Sequence, residues 1–409
     1  MGRMLGKLLA QVRSLRPAVR SVVLLYCVYT LAGSMLGTFL QIFIFQKFTS
    51  VYFNITATLV LYSGIMAGFA LVGIVAGLFR ANLKRGFLAC FLLMSLPIFL
   101  LLYAHTEVQV YAIMFIHGFG EGLFWLLVSP FELSLTHDSE RDFYSSVIGV
   151  TGELLGLVGP ASATFLIWFS CVVLHLGTYT LLFIVSPAIY LLGLLCLAHL
   201  PDFRPTPLTV ADVVHFTTDR RNKAAFIYSM GTGLQQVLGL VPQLVALAIL
   251  QSALSVGAYS TVFAIISTVA IIALAPIRRP GNRLHILGAT TLILAAAIIW
   301  LGYSFSLAGL IIFTLAEALI LPTLNVSSHV IDLSAMEIGL PQSKFYATMI
   351  LREFTLWTWR NIGGLCLIVA VHYFGTARLT LSAGLYMLAA SFIITYVGAV
   401  LLARAQRSA

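Results

Sequence analysis

Four carboxylates lie inside long apolar stretches of the sequence, where a charged side chain is rare. They are Glu121, Glu153, Glu317 and Glu353. A charged group at the centre of a bilayer costs about 2.5–3.5 kcal/mol on insertion scales, so such residues mark sites of function by default. Desolvation favours the neutral form of a carboxyl group, which can then take up and release a proton as its exposure to water changes. We therefore predict that these residues carry protons or bind substrate.

The carboxylates recur at a nearly constant spacing along the chain. Glu353 follows Glu153 by 200 positions, and Glu317 follows Glu121 by 196 positions. If the chain contains two similar halves, each pair lies at an equivalent depth on opposite sides of one cavity. The spacing therefore predicts two related polar positions in each half.

Arg360 is the only basic residue near the middle of a predicted helix. It follows Glu353 by seven positions, which is two turns along one helix face and about 10 Å along the axis. Because this distance is long for a direct bond, one interpretation is that substrate or water bridges the two side chains. The other is that the two residues pair with each other, or with a polar neighbour, and fix helix packing.

The composition excludes a soluble protein. Apolar residues make up 60% of the 409 positions, charged residues 9%, and the mean hydropathy is +1.01. Soluble domains carry about 25% charged residues, whereas about 20 apolar residues in a helix cross a bilayer. The pattern predicts an all-α integral membrane protein with twelve transmembrane helices. The predicted helices span residues 21–45, 55–79, 86–104, 108–132, 143–169, 177–199, 223–250, 254–277, 284–303, 307–331, 345–371 and 379–403.

The basic residues indicate how the helices are oriented. With a cytoplasmic N-terminus and twelve crossings, 19 of the 23 basic residues fall on the cytoplasmic side, all except Lys47, Arg352, Arg360 and Arg378. This asymmetry is the positive-inside signature, which predicts that both termini are cytoplasmic. The net charge of +9 therefore faces cytosol and lipid headgroups, and no nucleic-acid partner is expected.

The starts of the predicted helices repeat at an offset of 198–202 residues, and both halves begin on the same side. We therefore predict two parallel repeats: an N-terminal six-helix bundle in residues 1–200 and a C-terminal six-helix bundle in residues 223–409. The polar residues 201–222 form a predicted cytoplasmic linker. Two parallel six-helix halves around a cavity at the membrane midplane are typical of a rocking secondary transporter.

The twelve-helix plan, the basic loop after helix 2 of each half and the central linker resemble the major facilitator superfamily over the whole chain. In the loop after helix 2, Gly77 and Arg85 fit the family signature, but Ala81 replaces its Asp. In helix 4, Met114 stands where many proton-coupled members have Arg. Residues 118–125 and 352–360 are similar to a bacterial branch of the family. Helix 5 carries a sequence similar to the Gly-Pro signature of antiporters at Gly152, Gly156, Gly159 and Pro160.

The resemblance implies that helices 1, 4, 7 and 10 line a substrate pathway, on which Gln41, Gln235 and Gln236 would lie. Such amides also bond between helices for packing alone. Aromatic residues of the same helices and of helix 11 are further candidates for the pathway, with interfacial anchoring or packing against lipid as the alternative. They are Tyr29, Trp125 and Trp357.

These observations predict a secondary active transporter that moves a small organic or amphipathic solute by alternating access, coupled to protons. A lipid flippase on the same fold is the alternative. An intramembrane lipid-modifying enzyme is disfavoured, because only His117 and Glu121 share a helix face at close spacing. No cofactor or metal site is predicted, since the five cysteines are scattered and no nucleotide-binding motif occurs. We expect a monomer in the inner membrane of a bacterium.

Overall fold

The computed structural model describes residues 17–75, 83–135, 138–199, 220–274, 283–321, 324, 345–374 and 377–407. The described residues are almost entirely helical, and none of them lies in a β-strand. Eleven helices are long and apolar enough to cross a membrane, and a shorter apolar helix spans Leu307–Leu321. The prediction of an all-helical membrane protein is therefore confirmed.

Six helices make up the first half of the chain. Three of them continue into short irregular turns: Leu101–Tyr103 after α3, a π-helical turn Phe169–Val173 after α5, and Gly193–His199 after α6. The bounds are α1 Pro17–Phe48, α2 Val51–Val75, α3 Leu83–Leu100, α4 Glu107–Leu135, α5 Asp138–Trp168 and α6 Thr180–Leu192.

The second half repeats this plan with one interruption. The seventh span breaks at Gly239, three residues before Pro242. Because proline has no backbone N–H group, Pro242 cannot donate the helical hydrogen bond expected at this point. Of the predicted helix 307–331, the described part is Leu307–Leu321 and Leu324. The bounds are α7a Arg220–Leu238, α7b Leu240–Leu250, α8 Ala253–Leu274, α9 Arg283–Ser304, α10 Leu307–Leu321, α11 Phe345–Phe374 and α12 Ala377–Arg407.

Helix packing follows the same pattern in the two halves. Helix α1 packs on α5 and α6, and α3 packs on α6; correspondingly, α7a packs on α11 and α12, and α9 packs on α12. The equivalent pairs are those expected when six helices are repeated in the same orientation. Residues 201–219 of the predicted linker lie outside the described residues, so the proposed division at 201–222 stays a prediction.

Glycines bring α2 and α4 into close contact. A Cβ atom added at Gly118 or Gly122 of α4 would overlap a backbone carbonyl oxygen of α2, and one added at Gly64 of α2 would overlap a carbonyl oxygen of α4. Small residues four apart let two membrane helices approach until their backbones touch, and this contact replaces the hydrophobic driving force that lipid does not supply. This packing holds α4, and with it Glu121, in a fixed position beside α2.

Among the described residues, the two halves are joined chiefly by α2 with α11 and by α5 with α8. Smaller contacts join α1 with α7b and α8, and α4 with α11. In the α2–α11 contact, Ile65 and Phe69 pack with Met349 and Ile350, near the C-terminal end of α2 and the N-terminal end of α11. The α5–α8 contact lies at the other ends of the helices, where Gly257 approaches Thr164. The halves therefore meet at two different depths. The polar residues around Arg360 lie further along α11, between these two depths.

Candidate functional site

Arg360 is buried where α2, α7a and α11 meet. Only 4% of Arg360 and 5% of Glu353 is exposed, and the Arg360 Nη1 atom forms a direct ion pair with Glu353 Oε1. The Arg360 Nε atom donates to Gln236 Oε1 at 2.6 Å. On its other side, the Arg360 Cζ atom lies 4.6 Å from the centre of the Tyr62 ring. The guanidinium thus contacts a carboxylate, an amide and an aromatic face at once.

Two hydrogen bonds connect this cluster to α2. The Tyr62 hydroxyl donates to the backbone carbonyl oxygen of Gln236 at 2.8 Å. The Trp357 Nε1 atom donates to Ser63 Oγ at 3.1 Å. Because α2 belongs to the first half and α7a and α11 to the second, any movement of one half against the other must change these contacts. We call Tyr62, Gln236, Glu353, Trp357 and Arg360 the Arg360 cluster.

A second polar network lies within the first half. The Tyr29 hydroxyl of α1 donates to Glu121 Oε1 of α4 at 2.5 Å and accepts from Trp125 Nε1 at 3.1 Å. The Tyr29 ring stacks on Phe124, with ring centres 4.2 Å apart. The structure therefore brings the predicted residues Tyr29, Glu121 and Trp125 together, and the Glu121 carboxylate has a fixed hydrogen-bond donor.

Two predicted pathway residues bond to neighbouring helices. The side-chain oxygen of Gln41 accepts from Thr58 at 3.3 Å, which joins α1 to α2. The Gln235 Nε2 atom donates to Thr395 Oγ1 at 2.8 Å, which joins α7a to α12. Gln41 therefore takes part in packing, whereas Gln235 takes part in packing and also lines the cavity that contains Glu317.

Glu317 of α10 lines a cavity of about 490 Å³ in the second half. Every described residue of the cavity wall belongs to α7a, α7b, α8, α9, α10 or α12, or is Gly239 or Leu324. No hydrogen bond joins the Glu317 carboxylate to another described residue, unlike the Tyr29 bond to Glu121. The two carboxylates, which the spacing predicts to be equivalent, thus have different surroundings.

Glu153 and His117 complete the set of predicted polar groups. Glu153 lies in α5, but its side chain is outside the part of the molecule that the structure describes. His117 Nδ1 contacts the backbone carbonyl oxygen of Met94 at 2.9 Å, so the histidine bonds to α3. Among the described residues, no three His, Cys, Asp or Glu side chains lie close enough to hold a metal ion.

The sequence of the chain decides its family. Residues 22–330, more than half of the chain, match the sequence profile of the Major Facilitator Superfamily. The chain belongs to the Major Facilitator Superfamily. No curated protein matches it in a sequence search.

Solved structures of superfamily transporters have the same fold. The chain is similar to the E. coli fucose:proton symporter FucP, with 15% identity and a TM-score of 0.63 over 94% of this chain and 98% of FucP. It is also similar to the human organic anion transporter MFSD10 (TETRAN), with 16% identity and a TM-score of 0.62 over 93% and 99%. A bacterial homologue of the iron transporter ferroportin aligns at 13% identity and a TM-score of 0.66 over 95% and 100%. At these identities the likeness establishes the fold alone.

Membership of the superfamily and the fold of its transporters point to a transporter and not to an enzyme. Among the described residues, three polar groupings lie within the apolar helices: the Arg360 cluster, the network of Tyr29, Glu121 and Trp125, and the cavity around Glu317. The sequence interpretation did not single out Ser63, which accepts a hydrogen bond from Trp357, or Tyr259, which lines the Glu317 cavity. The signal that marks them is a hydroxyl group in an otherwise apolar helix, which many packing residues share.

Proposed function

We propose that this superfamily member is a secondary active transporter that moves a small organic or amphipathic solute by alternating access. The Arg360 cluster carries the proposal. Arg360 of α11 pairs with Glu353 and donates to Gln236 of α7a in its own half, and Tyr62 of α2 completes the cluster from the other half. Trp357 of the cluster also donates to Ser63 of α2. A solute that enters between the halves would compete for these bonds, and its binding energy would favour a different arrangement of the halves.

We further propose that transport is coupled to protons through Glu353. A buried ion pair is stable only while both partners are charged and hydrogen-bonded. Protonation of Glu353 would remove the partner of Arg360, whose guanidinium stays charged at any physiological pH. The freed guanidinium would then be available to a polar group of the solute. Coupling follows, because proton binding and solute binding would change the same contact.

The orientation, location and assembly belong to the same proposal. The distribution of basic residues supports cytoplasmic termini, and the inner membrane of a bacterium is the proposed location. We propose a division into residues 1–200, a linker 201–222 and residues 223–409, supported by the equivalent helix contacts of the two halves. The chain is proposed to work as a monomer, since each half contributes to one enclosed site.

A lipid flippase is the second candidate, and one groove favours it. Between α5 and α8 lies an open space of about 470 Å³ lined by Phe165, Trp168, Leu254 and other mostly apolar residues. A groove of this kind at the contact between the halves would admit an acyl chain from the side. The Arg360 cluster, which is polar and lies at the α2–α11 contact, favours a smaller solute.

Transport measurements in proteoliposomes separate these functions. The purified chain is reconstituted with a pH-sensitive dye inside the vesicles, and a panel of organic solutes is added outside. A proton-coupled transporter changes the internal pH on addition of its solute, whereas empty liposomes do not respond. Redistribution of a fluorescent phospholipid between leaflets, with no solute-dependent pH change, would support the flippase and contradict the proposal.

A further inference from the structure

All the described residues that line the cavity around Glu317 belong to the second half of the chain. It lies among helices of the second half, and Gln236 is the only residue that both lines it and belongs to the Arg360 cluster. Its volume of about 490 Å³ is within the range of about 300–1,000 Å³ for sites that bind small organic ligands. The cavity is therefore large enough for an organic molecule rather than a single ion.

The Glu317 carboxylate is the hydrogen-bond acceptor that the cavity presents to a ligand. Its side chain is partly exposed, lines the cavity and bonds to no other described residue. The Gln243 Oε1 atom also has no hydrogen-bond partner among the described residues, but it is fully buried and so does not face the open space. A carboxylate without a donor indicates a ligand that donates hydrogen bonds.

The charge of the cavity selects the sign of the ligand. Among its described residues there is no Lys, Arg or His, and Glu317 is the only acidic residue. An isolated carboxylate in an apolar region is costly unless a cation pairs with it. Phe313 and Phe392 in the wall are buried aromatic residues, and aromatic faces attract cations further.

We propose that this cavity binds a protonated amine with an apolar or aromatic body. The ammonium group pairs with the Glu317 carboxylate, and the body of the amine packs against Phe313 and Phe392. The inference names a substrate class for the proposed transporter and rests on that function for the step from binding to transport. Binding itself is independent of transport.

Equilibrium dialysis of the purified full chain in detergent tests the inference. The probe is 2-(1-naphthyl)ethylamine, which is protonated at neutral pH, and the matched anion is 3-(1-naphthyl)propionate. We expect saturable binding of the amine and at least tenfold weaker binding of the anion. Equal binding of the two probes, or no saturable binding of the amine, overturns the inference without any variant.

Variants then assign the site. Glu317→Gln is expected to weaken amine binding at least tenfold, and Glu317→Asp to keep the preference for the amine over the anion. Glu107→Gln changes an exposed carboxylate at the start of α4 and should leave binding within twofold. The N,N,N-trimethyl form of the probe, which has no N–H group to donate to the Glu317 carboxylate, should bind more weakly than the amine. Unchanged amine binding in folded Glu317→Gln contradicts the assignment.

The outcomes distinguish this inference from the proposed function. Solute-dependent proton flux in proteoliposomes without amine binding would overturn the cavity assignment and leave the transporter standing. Amine binding that depends on Glu317, without flux of any solute, would support the cavity assignment and overturn the proposed transport function. Size-exclusion profiles of every variant in detergent show whether it is folded.

Discussion

The guanidinium of Arg360 in α11 lies over the aromatic face of Tyr62 in α2, with the Arg360 Cζ atom 4.6 Å from the ring centre. The same tyrosine donates its hydroxyl hydrogen bond to the backbone of Gln236 in α7a. One residue of the first half therefore contacts two helices of the second half. This relationship ties the contacts of the Arg360 cluster to the relative position of the halves.

The ion pair between Glu353 and Arg360 is expected to show strong coupling in stability measurements. Removing one partner leaves an uncompensated buried charge, which costs about 3–5 kcal/mol in buried pairs. Glu353→Leu should therefore lower the apparent free energy of unfolding in detergent by several kcal/mol. The double variant Glu353→Leu with Arg360→Met should be more stable than Glu353→Leu alone. Strictly additive effects in this double-mutant cycle would show that the pair is not formed.

The two contacts of Tyr62 can be separated by substitution. Tyr62→Phe removes the hydroxyl bond to Gln236, worth about 0.5–1.5 kcal/mol, and keeps the aromatic face under Arg360. Tyr62→Leu removes both, and a desolvated cation–π contact adds about 2 kcal/mol. We expect the loss of thermal stability to be clearly larger for Tyr62→Leu than for Tyr62→Phe. Equal losses in the two variants would contradict the contact between Arg360 and the ring.

The packing of α4 on α2 predicts sensitivity at Gly118. A Cβ atom at Gly118 would overlap the backbone of Leu61, whereas a Cβ atom at Gly37 of α1 meets nothing within 4 Å. Replacing a helical glycine by alanine otherwise stabilises by about 0.5–1 kcal/mol. Gly118→Ala should therefore lower the melting temperature and Gly37→Ala should not. A stable, fully folded Gly118→Ala protein would show that the two helices do not approach this closely.

The contact between α5 and α8 predicts a cross-link that stops transport. A Cβ atom added at Gly257 would lie 3.2 Å from Thr164 Cβ, close to the separation of about 3.5–4.5 Å in disulfides. With the native cysteines replaced, Thr164→Cys with Gly257→Cys should form a disulfide under mild oxidation and lose solute flux. Reduction should restore the flux, and each single variant should be insensitive to oxidant. Full activity of the oxidised double variant would mean that the halves do not separate there.

Much of the fold follows from the sequence, because a membrane span must be apolar over its whole length. Helix α8, predicted at 254–277, begins at Ala253, and the charge-free run that predicts it is what the bilayer requires. Hydropathy does not reveal the break at Gly239, because the missing N–H group of Pro242 interrupts the helical hydrogen bonds and not the apolar run.

The candidate site was predicted only in part. The sequence placed Glu353 and Arg360 on one helix face, but the helical rise made a direct bond look too long. The long arginine side chain reaches along the helix and closes that distance. The regular spacing of Glu121 and Glu317 did not reveal that Tyr29 bonds to the first and no described residue bonds to the second. Partners of that kind depend on helix rotation, which one sequence does not record.

The most direct test of proton coupling compares net transport with exchange in proteoliposomes that contain Glu353→Gln. With a solute that drives proton flux in the unmodified protein, the variant should lose solute-dependent proton movement and accumulation against a gradient. It should still exchange labelled for unlabelled solute across the membrane, because exchange needs the movement of the halves but no net proton transfer. Solute-dependent proton flux in Glu353→Gln equal to that of the unmodified protein would contradict the account.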